Sequence, residues 1–115
     1  MILLTLPYPP SANHIWRTAG KRVYRSKRYM EWLEEAAGMA IGQRQGGIKG
    51  PYKISIDAVR PDKRVRDLGN LEKPISDLLV QIGTIEDDKL AEMICIRWVT
   101  NGEGVTVRIE KAGIE

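Results

Sequence analysis

The sequence predicts a mixed αβ (α+β) fold, in which a mixed sheet carries two helices in one domain spanning residues 1–115. Short apolar or alternating runs predict four strands, and two longer segments space their apolar residues as helices do. Together they give the order β-α-β-α-β-β, without an internal repeat, low-complexity segment or linker. A chain of 115 residues can bury one core without disulfides.

The N-terminal half predicts a strand, a rigid loop, a turn and a helix. Residues 2–6 form an apolar run that Pro7 stops, and residues 7–17 are too proline-rich for regular structure. Residues 18–25 read as short extended pieces around Gly20. Ser26 can cap a helix that runs to about Gln43 and ends before Gly46-Gly47. The predicted apolar face of that helix is formed by Met30, Leu33, Ala37, Ala40 and Ile41.

The C-terminal half predicts a strand, a helix and two further strands. Residues 52–59 alternate with period two, whereas the apolar residues of segment 70–82 have helical spacing. Pro74 must lie in the first turn of this helix, so either Asn70 caps it or regular helix begins at Lys73 or Pro74. Strands over 93–100 and 105–109 follow, and Asn101-Gly102 between them is a hairpin signal.

Composition limits the class of protein. The single cysteine, Cys95, lies in an apolar run, so we expect a buried core thiol rather than a catalytic one. One cysteine and no signal peptide indicate a cytoplasmic protein. No apolar run reaches the length that crosses a membrane, so we expect no membrane contact.

Charge is unevenly distributed along the chain. Residues 1–66 contain 13 Lys and Arg and 5 Asp and Glu, which gives a net charge of +8. Residues 67–115 contain 5 Lys and Arg and 10 Asp and Glu, which gives −5, so the whole chain has a net charge of +3. A basic half beside an acidic half suggests a surface for a polyanion next to a surface for a metal. The alternative interpretation is sampling noise together with ordinary solvated faces.

The most informative segment is a basic run that ends on an acid. Arg60, Lys63, Arg64 and Arg66 precede Asp67, which directly precedes the second predicted helix. Phosphodiester cleavage requires cations to hold the polyanion and carboxylates to hold the metal that activates water. Taken alone, Asp67 is more simply interpreted as an acid that favours a helix start.

A second acid cluster, Glu86-Asp87-Asp88, follows that helix. The chain can turn back there, so Asp67 and Asp88 can meet at one end of the sheet. Magnesium needs only one or two protein carboxylates besides water and phosphate. Lys73 could neutralise charge on the scissile phosphate, although an exposed helix lysine and a solvated acidic loop are the simpler interpretations.

Three segments of the chain resemble the RusA family of Holliday-junction resolvases, small endonucleases typical of phages and prophages. Residues 6–13, Leu-Pro-Tyr-Pro-Pro-Ser-Ala-Asn, resemble an N-terminal motif of the family. Residues 61–73, with their basic run and Arg-Asp-Leu-Gly-Asn-Leu-Glu-Lys, resemble its central motif, and residues 76–79, Gly83 and 86–88 fall where the family has a helix, a glycine turn and an Asp-Asp pair. The resemblance covers nearly the whole chain.

The resemblance implies a homodimer that nicks two strands of a four-way DNA junction symmetrically, during recombination and repair. The implied cofactor is Mg²⁺, for which Mn²⁺ could substitute, without an organic cofactor. Asp67 and Asp88 match two of three catalytic aspartates of the family, and Lys73 matches its essential lysine. Asn70 and Asp77 also match family positions.

Gly69 departs from the family, because it stands where another motif aspartate belongs. We expect the loss of that ligand to weaken metal binding unless another acid replaces it. Glu72 is the preferred substitute, and Glu86 and Asp87 are less favoured. Glu72 could equally be an acid that stabilises the first turn of a helix.

Three hypotheses follow from these residues. The first is an endonuclease in which Asp67, Asp88, Glu72 and Asp87 are candidate metal ligands and Lys73 assists catalysis. The second is a module that grips branched DNA without cutting, and the third is a single-strand binder in which Tyr8, Trp16 and Tyr24 stack on bases. Tyr8 and Trp16 could instead be core or interface anchors. The predicted DNA-binding residues are Asn13, Arg22, Arg25, Lys27, Arg28, Arg60, Lys63, Arg64, Arg66 and Asn70.

Overall fold

A four-stranded mixed sheet with two helices forms the body of the protein, as the sequence predicts. A computed structural model describes residues 1–11, 14–43 and 46–113. The strands are β1 (Ile2–Leu6), β2 (Trp16–Ala19), β3 (Arg22–Arg25), β4 (Tyr52–Val59), β5 (Ala91–Val99) and β6 (Val105–Lys111). The helices are α1 (Lys27–Gly42) and α2 (Glu72–Gln81), with 3₁₀ turns at Leu68–Leu71 and Asp88–Leu90.

The sheet order is β1-β6-β4-β5, with β5 parallel to β4 and the other neighbours antiparallel. The hairpin predicted at Asn101-Gly102 is therefore wrong, because β4 lies between β5 and β6. Strand β6 pairs with β1 and β4 instead, and its residues Val105, Val107 and Ile109 are all buried. The loop crosses the end of β4, where the Val59 N–H donates to the Gly104 carbonyl over 3.0 Å.

Gly104 allows that crossing. Its φ is +71°, and a Cβ there would lie 2.4 Å from the Leu6 carbonyl oxygen, so a side chain would collide with β1. The glycines that suggest a hairpin instead carry the chain past one strand to its next neighbour.

Helix α1 begins where predicted, because the Ser26 hydroxyl accepts a hydrogen bond from the Tyr29 N–H over 3.2 Å. Its buried face differs from the predicted one. Tyr29, Trp32, Leu33, Ala36 and Ala40 are buried, whereas Met30 and Ile41 are exposed. Two aromatic residues can be buried because their polar atoms are satisfied: the Tyr29 hydroxyl and the Trp32 indole N–H both donate to protein oxygens. The helix also ends at Gly42, before Gly46-Gly47.

The 3₁₀ turn Leu68–Leu71 leads into α2, which begins at Glu72 with Pro74 in its first turn. Proline is tolerated there because its missing N–H would have no partner inside the helix. The side chains of Ile75, Leu78 and Leu79 are fully buried. Both helices and the alternate residues of β1, β4 and β6 belong to one hydrophobic cluster. The other sheet face is not part of that core.

Strand β5 forms one edge of the sheet, and this corrects the prediction for Cys95. The thiol is exposed rather than buried. Cys95 is in register with Ser55 of β4, whereas the neighbouring positions Ile54 and Ile56 belong to the core. Because strand side chains alternate, Cys95 lies on the sheet face away from the helices.

Strands β2 and β3 form a separate two-stranded sheet in which every residue is exposed. Within the described parts of the chain, neither helix is long and apolar enough to cross a membrane.

Candidate functional site

An open cleft of about 430 Å³ gathers charged side chains from three parts of the fold. Arg25 comes from β3, Lys73 and Asp77 from α2, and Asp87 and Asp88 from the 3₁₀ turn that precedes β5. Opposite charges therefore converge where α2 and the start of β5 meet.

Lys73 links the acids of this cleft. Its ammonium nitrogen lies 3.1 Å from Asp77 Oδ1 and 3.4 Å from Asp88 Oδ2. The hydrogen bond to Asp77 is the main cause that raises the pKa of Lys73, and the charge of Asp88 adds to it. The lysine therefore stays protonated over the whole neutral range and can act as a fixed cation.

Asp77 is held from the opposite side by Tyr29, whose hydroxyl donates to Asp77 Oδ2 over 2.9 Å. Burial, followed by this hydrogen bond, raises the pKa of Tyr29 well above its usual value, so the phenol remains a donor. Arg25 lies over the Tyr29 ring at 5.6 Å. Site prediction from the sequence left out Asp77 and Tyr29. The spacing of Lys73 and Asp77 at i and i+4 was the available signal for Asp77.

Tyr52 is affected by the charges of three acids, Asp88, Glu72 and Asp87. Burial is the main cause that raises its pKa to about 12, and the negative charges of Asp88, Glu72 and Asp87 add to it. Glu72 therefore belongs to the same electrostatic environment as Asp88. Its Oε1 accepts a hydrogen bond from the Ser76 hydroxyl over 3.1 Å. Tyr52 was not a site candidate, because the sequence presents it only as the start of a core strand.

Asp67 lines a different, smaller cleft of about 250 Å³ together with Tyr8, Arg66 and Asn70. Its Oδ1 accepts a hydrogen bond from the Gly69 N–H over 3.1 Å, which caps the 3₁₀ turn. Asp67 and Asp88 thus lie in separate clefts, and their predicted convergence stays a prediction.

The acids are suitable in kind for a hard divalent cation, because carboxylate oxygens are the ligands that Mg²⁺ prefers. Over residues 1–11, 14–43 and 46–113, however, no three His, Cys, Asp or Glu side chains are grouped closely enough to hold a metal ion. A donor set of one or two carboxylates with water and phosphate oxygens is compatible with these positions.

The basic run forms an exposed loop beside the clefts. Asp62 accepts hydrogen bonds from Arg64 and Arg66, and the closest of these joins Arg66 Nη2 to Asp62 Oδ2 over 2.7 Å. Those hydrogen bonds hold the pKa of Asp62 far below its ordinary value. The other predicted cations, Lys63 of this loop and Arg22, Lys27 and Arg28 near the β2–β3 sheet, are exposed. Asn13 lies outside the described residues.

Two aromatic rings order this loop. The rings of Tyr8 and Trp98 stack with an interplanar angle of 8° and centroids 6.5 Å apart. Arg60 lies 4.4 Å above the Trp98 ring, and Arg66 lies 5.8 Å from the Tyr8 ring. The stack was missed because Trp98 sits in a strand far from the loop in sequence. Tyr8 is therefore a half-buried anchor, whereas Trp16 is 53% exposed.

A mixed sheet, a basic loop and a cleft of acids with a lysine are compatible with a small nuclease, which needs cations for phosphates and acids for a metal. Comparison with known proteins identifies the family to which the chain belongs. The family model for endodeoxyribonuclease RusA matches residues 7–110, so the chain belongs to the RusA family.

Curated relatives match over most of their length. A crossover junction endodeoxyribonuclease of Enterobacteria phage 82 is 31% identical over 97% of this chain and 96% of its own. That of phage HK97 is 37% identical over 73% of this chain and 71% of its own. The crossover junction endodeoxyribonuclease of Aquifex aeolicus is 31% identical over 95% of this chain and 88% of its own. These names describe nucleases that act on phosphodiester bonds.

Proposed function

We propose that this protein is a Mg²⁺-dependent, structure-selective endonuclease that resolves four-way DNA junctions by hydrolysis, as a homodimer. The observation that carries the proposal is the cleft in which Lys73 joins Asp77 and Asp88 beside Arg25. It agrees in kind with the names of the relatives, which are crossover junction endodeoxyribonucleases.

The first step is the binding of DNA by positively charged side chains. Exposed cations of the basic loop and of the β2–β3 sheet neutralise backbone phosphates, which gives affinity without sequence preference. Arg60 and Arg66 are held by the Trp98 and Tyr8 rings, so they lose less conformational freedom on binding than free side chains would.

Lys73 then acts on the reacting phosphate. Its ammonium group is held by two carboxylates and stays charged, so it can stabilise negative charge that develops on the phosphate or the leaving oxygen. When bound, Mg²⁺ would activate water and neutralise phosphate charge. Asp88 would hold it, with Asp67, Glu72 or Asp87 as further ligands.

The test is cleavage of a synthetic four-way junction with labelled arms over a range of Mg²⁺ concentrations. We expect symmetric nicks from the parent protein and strongly reduced cutting by Asp88→Asn and Lys73→Met, with junction binding retained. A matched control is Lys89→Met, which removes an exposed lysine that pairs with Asp87 at 3.9 Å instead of Asp88. Parent protein that binds the junction but never cuts it would reject the proposal.

Glu72→Gln tests the substitute ligand separately. The amide oxygen can still accept the Ser76 hydrogen bond, so the helix start should be preserved. We expect cutting to require more Mg²⁺ in this variant. An unchanged Mg²⁺ requirement would exclude Glu72 as the acid that replaces the one missing at Gly69.

A second candidate function is a module that binds branched DNA without cutting. Gly69 favours it, because this position lacks the acid that the family motif carries. The same junction assay separates the two functions, since both predict binding and only one predicts nicks.

A further inference from the structure

The two acids that contact Lys73 differ in how they are held. Asp77 Oδ2 accepts the hydrogen bond of the Tyr29 hydroxyl over 2.9 Å, while Asp77 Oδ1 lies 3.1 Å from the Lys73 ammonium nitrogen. Both oxygens of this carboxylate therefore have a partner within the fold. The side chain of Asp77 is 20% exposed, whereas the side chain of Asp88 is 37% exposed and that of Lys73 is 52% exposed. Asp77 is thus the more enclosed of the two acids.

Tyr29 connects the Asp77 carboxylate to the hydrophobic core. It lies in α1, is 0% exposed and belongs to the main hydrophobic cluster. The Trp32 ring stacks on the Tyr29 ring with centroids 6.4 Å apart and an interplanar angle of 11°. A close-packed ring has little freedom to move, and a buried phenol needs an acceptor for its O–H. Asp77 is that acceptor, so its position is set by the core.

Asp88 is a poorer support for Lys73 under the proposed function. It lies in a short 3₁₀ turn, and its Oδ2 is 3.4 Å from the ammonium nitrogen. Asp88 is also the acid proposed to hold Mg²⁺, and a cation on that carboxylate repels the ammonium group. A half-exposed lysine that loses its partner regains the freedom of several rotatable bonds. In the described part of the chain, Asp77 is the other acid in contact with Lys73.

We propose that Asp77, held by Tyr29, is a positioning residue that keeps the Lys73 ammonium group at the reacting phosphate while Asp88 binds the metal ion. The proposal rests on the proposed function and assigns different roles to the two acids beside Lys73. Asp77 acts through the lysine and is not a metal ligand, because its oxygens are bonded to the Tyr29 hydroxyl and the Lys73 ammonium group.

The first test measures the order of the Lys73 side chain without DNA or cutting. The full chain is labelled with ¹³C at lysine Cε, the Lys73 signal is assigned by its loss in Lys73→Met, and its order parameter is measured by NMR relaxation. Asp88→Asn removes the charge of the second acid, and we expect Lys73 to stay ordered in this variant. Adding Asp77→Asn or Tyr29→Phe should make it clearly more mobile.

The matched control adds Asp57→Asn to the same Asp88→Asn background. The Asp57 side chain is 19% exposed and accepts a hydrogen bond from Arg97 over 2.7 Å, so it resembles Asp77 in burial and pairing. It lies on the opposite face of the sheet from the helices, because its neighbours Ile56 and Ala58 are buried in the core. A mobile Lys73 in Asp88→Asn alone, an ordered one after Asp77→Asn, or equal loss of order with Asp57→Asn would overturn the proposal.

The second test asks whether Asp77 acts through Lys73 in cutting. Single-turnover rates are measured on a four-way junction at saturating protein and Mg²⁺, and junction affinity is measured separately. We expect Asp77→Asn to lower the rate by about 10- to 100-fold and Tyr29→Phe by a smaller factor, at unchanged affinity, because small displacements of a reacting group are costly. In a Lys73→Met background, Asp77→Asn should cause no further loss, since residues that act as a unit are not additive.

The outcomes separate this proposal from its alternatives. A further loss in the Lys73→Met background would indicate a general structural role, and recovery of Asp77→Asn at high Mg²⁺ would make Asp77 a metal ligand; either result overturns the proposal. Circular dichroism checks folding, and Tyr29→Phe, which retains the buried ring, decides if Asp77→Asn does not fold. A parent protein that never cuts rejects the proposed function, while the order parameters still decide whether Asp77 holds Lys73.

Discussion

Under the proposed function, placing an acid at position 69 by Gly69→Asp should lower the Mg²⁺ concentration that junction cutting requires. A Cβ at position 69 would meet only Asp67 Oδ1, at 3.5 Å, which is ordinary van der Waals contact. Gly69 is also absent from the described glycines with positive φ, so a side chain introduces no backbone strain. The new carboxylate would therefore stand beside Asp67 in an unaltered 3₁₀ turn.

The size of the effect follows from charge and distance. Two unit charges about 4 Å apart interact by about 4 kcal/mol at the effective dielectric of a protein surface. Position 69 is exposed, so solvent and salt reduce the gain for a divalent cation to about 1–2 kcal/mol. Because about 1.4 kcal/mol corresponds to tenfold, we expect Mg²⁺ affinity to rise by roughly 5- to 30-fold.

The assay is junction cleavage over a Mg²⁺ titration, with calorimetric measurement of metal binding in the absence of DNA. Gly69→Asn is the matched control, since it adds nearly the same volume without the charge. If Gly69→Asp and Gly69→Asn show the same Mg²⁺ requirement, a carboxylate at position 69 is not what limits metal binding, and the reasoning fails.

Three further predictions concern the groups around the clefts. Asp62→Asn removes the anion that pairs with two arginines of the basic loop. It should tighten duplex binding and steepen the slope of log affinity against log salt concentration by about one to two units. Fluorescence anisotropy at several salt concentrations measures this slope, and an unchanged slope would contradict the prediction. Trp98→Leu removes the ring under Arg60 and should weaken junction binding by about two- to fivefold at an unchanged salt slope, with Trp98→Phe retaining part of the affinity. Burial and nearby acids raise the pKa of Tyr52 from 10.0 to about 12, so its contribution to stability is complete below pH 10 and is lost as pH rises towards 12. The free energy of unfolding, measured with denaturant over this pH range, should depend less on pH in Tyr52→Phe than in the parent protein. An identical pH dependence would refute the assignment.

Local patterns predicted most of the strands and helices, because their information is contained in neighbouring residues. The alternation in β4 and the Ser26 cap of α1 are of this kind. The partner of each strand, in contrast, is not specified by neighbouring residues. Asn101-Gly102 indicates a tight turn, but β6 pairs with β1 and β4 rather than with β5. A local turn signal does not specify which strand the following residues pair with, so the hairpin prediction was wrong.

The site was predictable as a set of residue types, whereas its geometry depends on tertiary contacts. Spacing indicated Lys73 and Asp88, and the structure joins them over 3.4 Å. The role of Asp77 depends on Tyr29, which is 48 residues away in sequence. The 3₁₀ turn between Asp67 and α2 places Asp67 in the neighbouring cleft, an offset that helical periodicity does not reveal.

The acids available to replace the one missing at position 69 are not equivalent. Glu86 Oε1 accepts the Gly50 N–H over 2.7 Å, so its carboxylate ties one loop to another. Asp87 Oδ1 accepts the Lys89 N–H over 2.9 Å and caps the turn that carries Asp88. Glu72 accepts a hydrogen bond from a side chain, which costs the fold less to release than a backbone tie, and its charge acts on Tyr52 together with that of Asp88. Under the proposed function, we therefore expect Glu72, rather than Glu86 or Asp87, to be the acid that replaces the one missing at position 69.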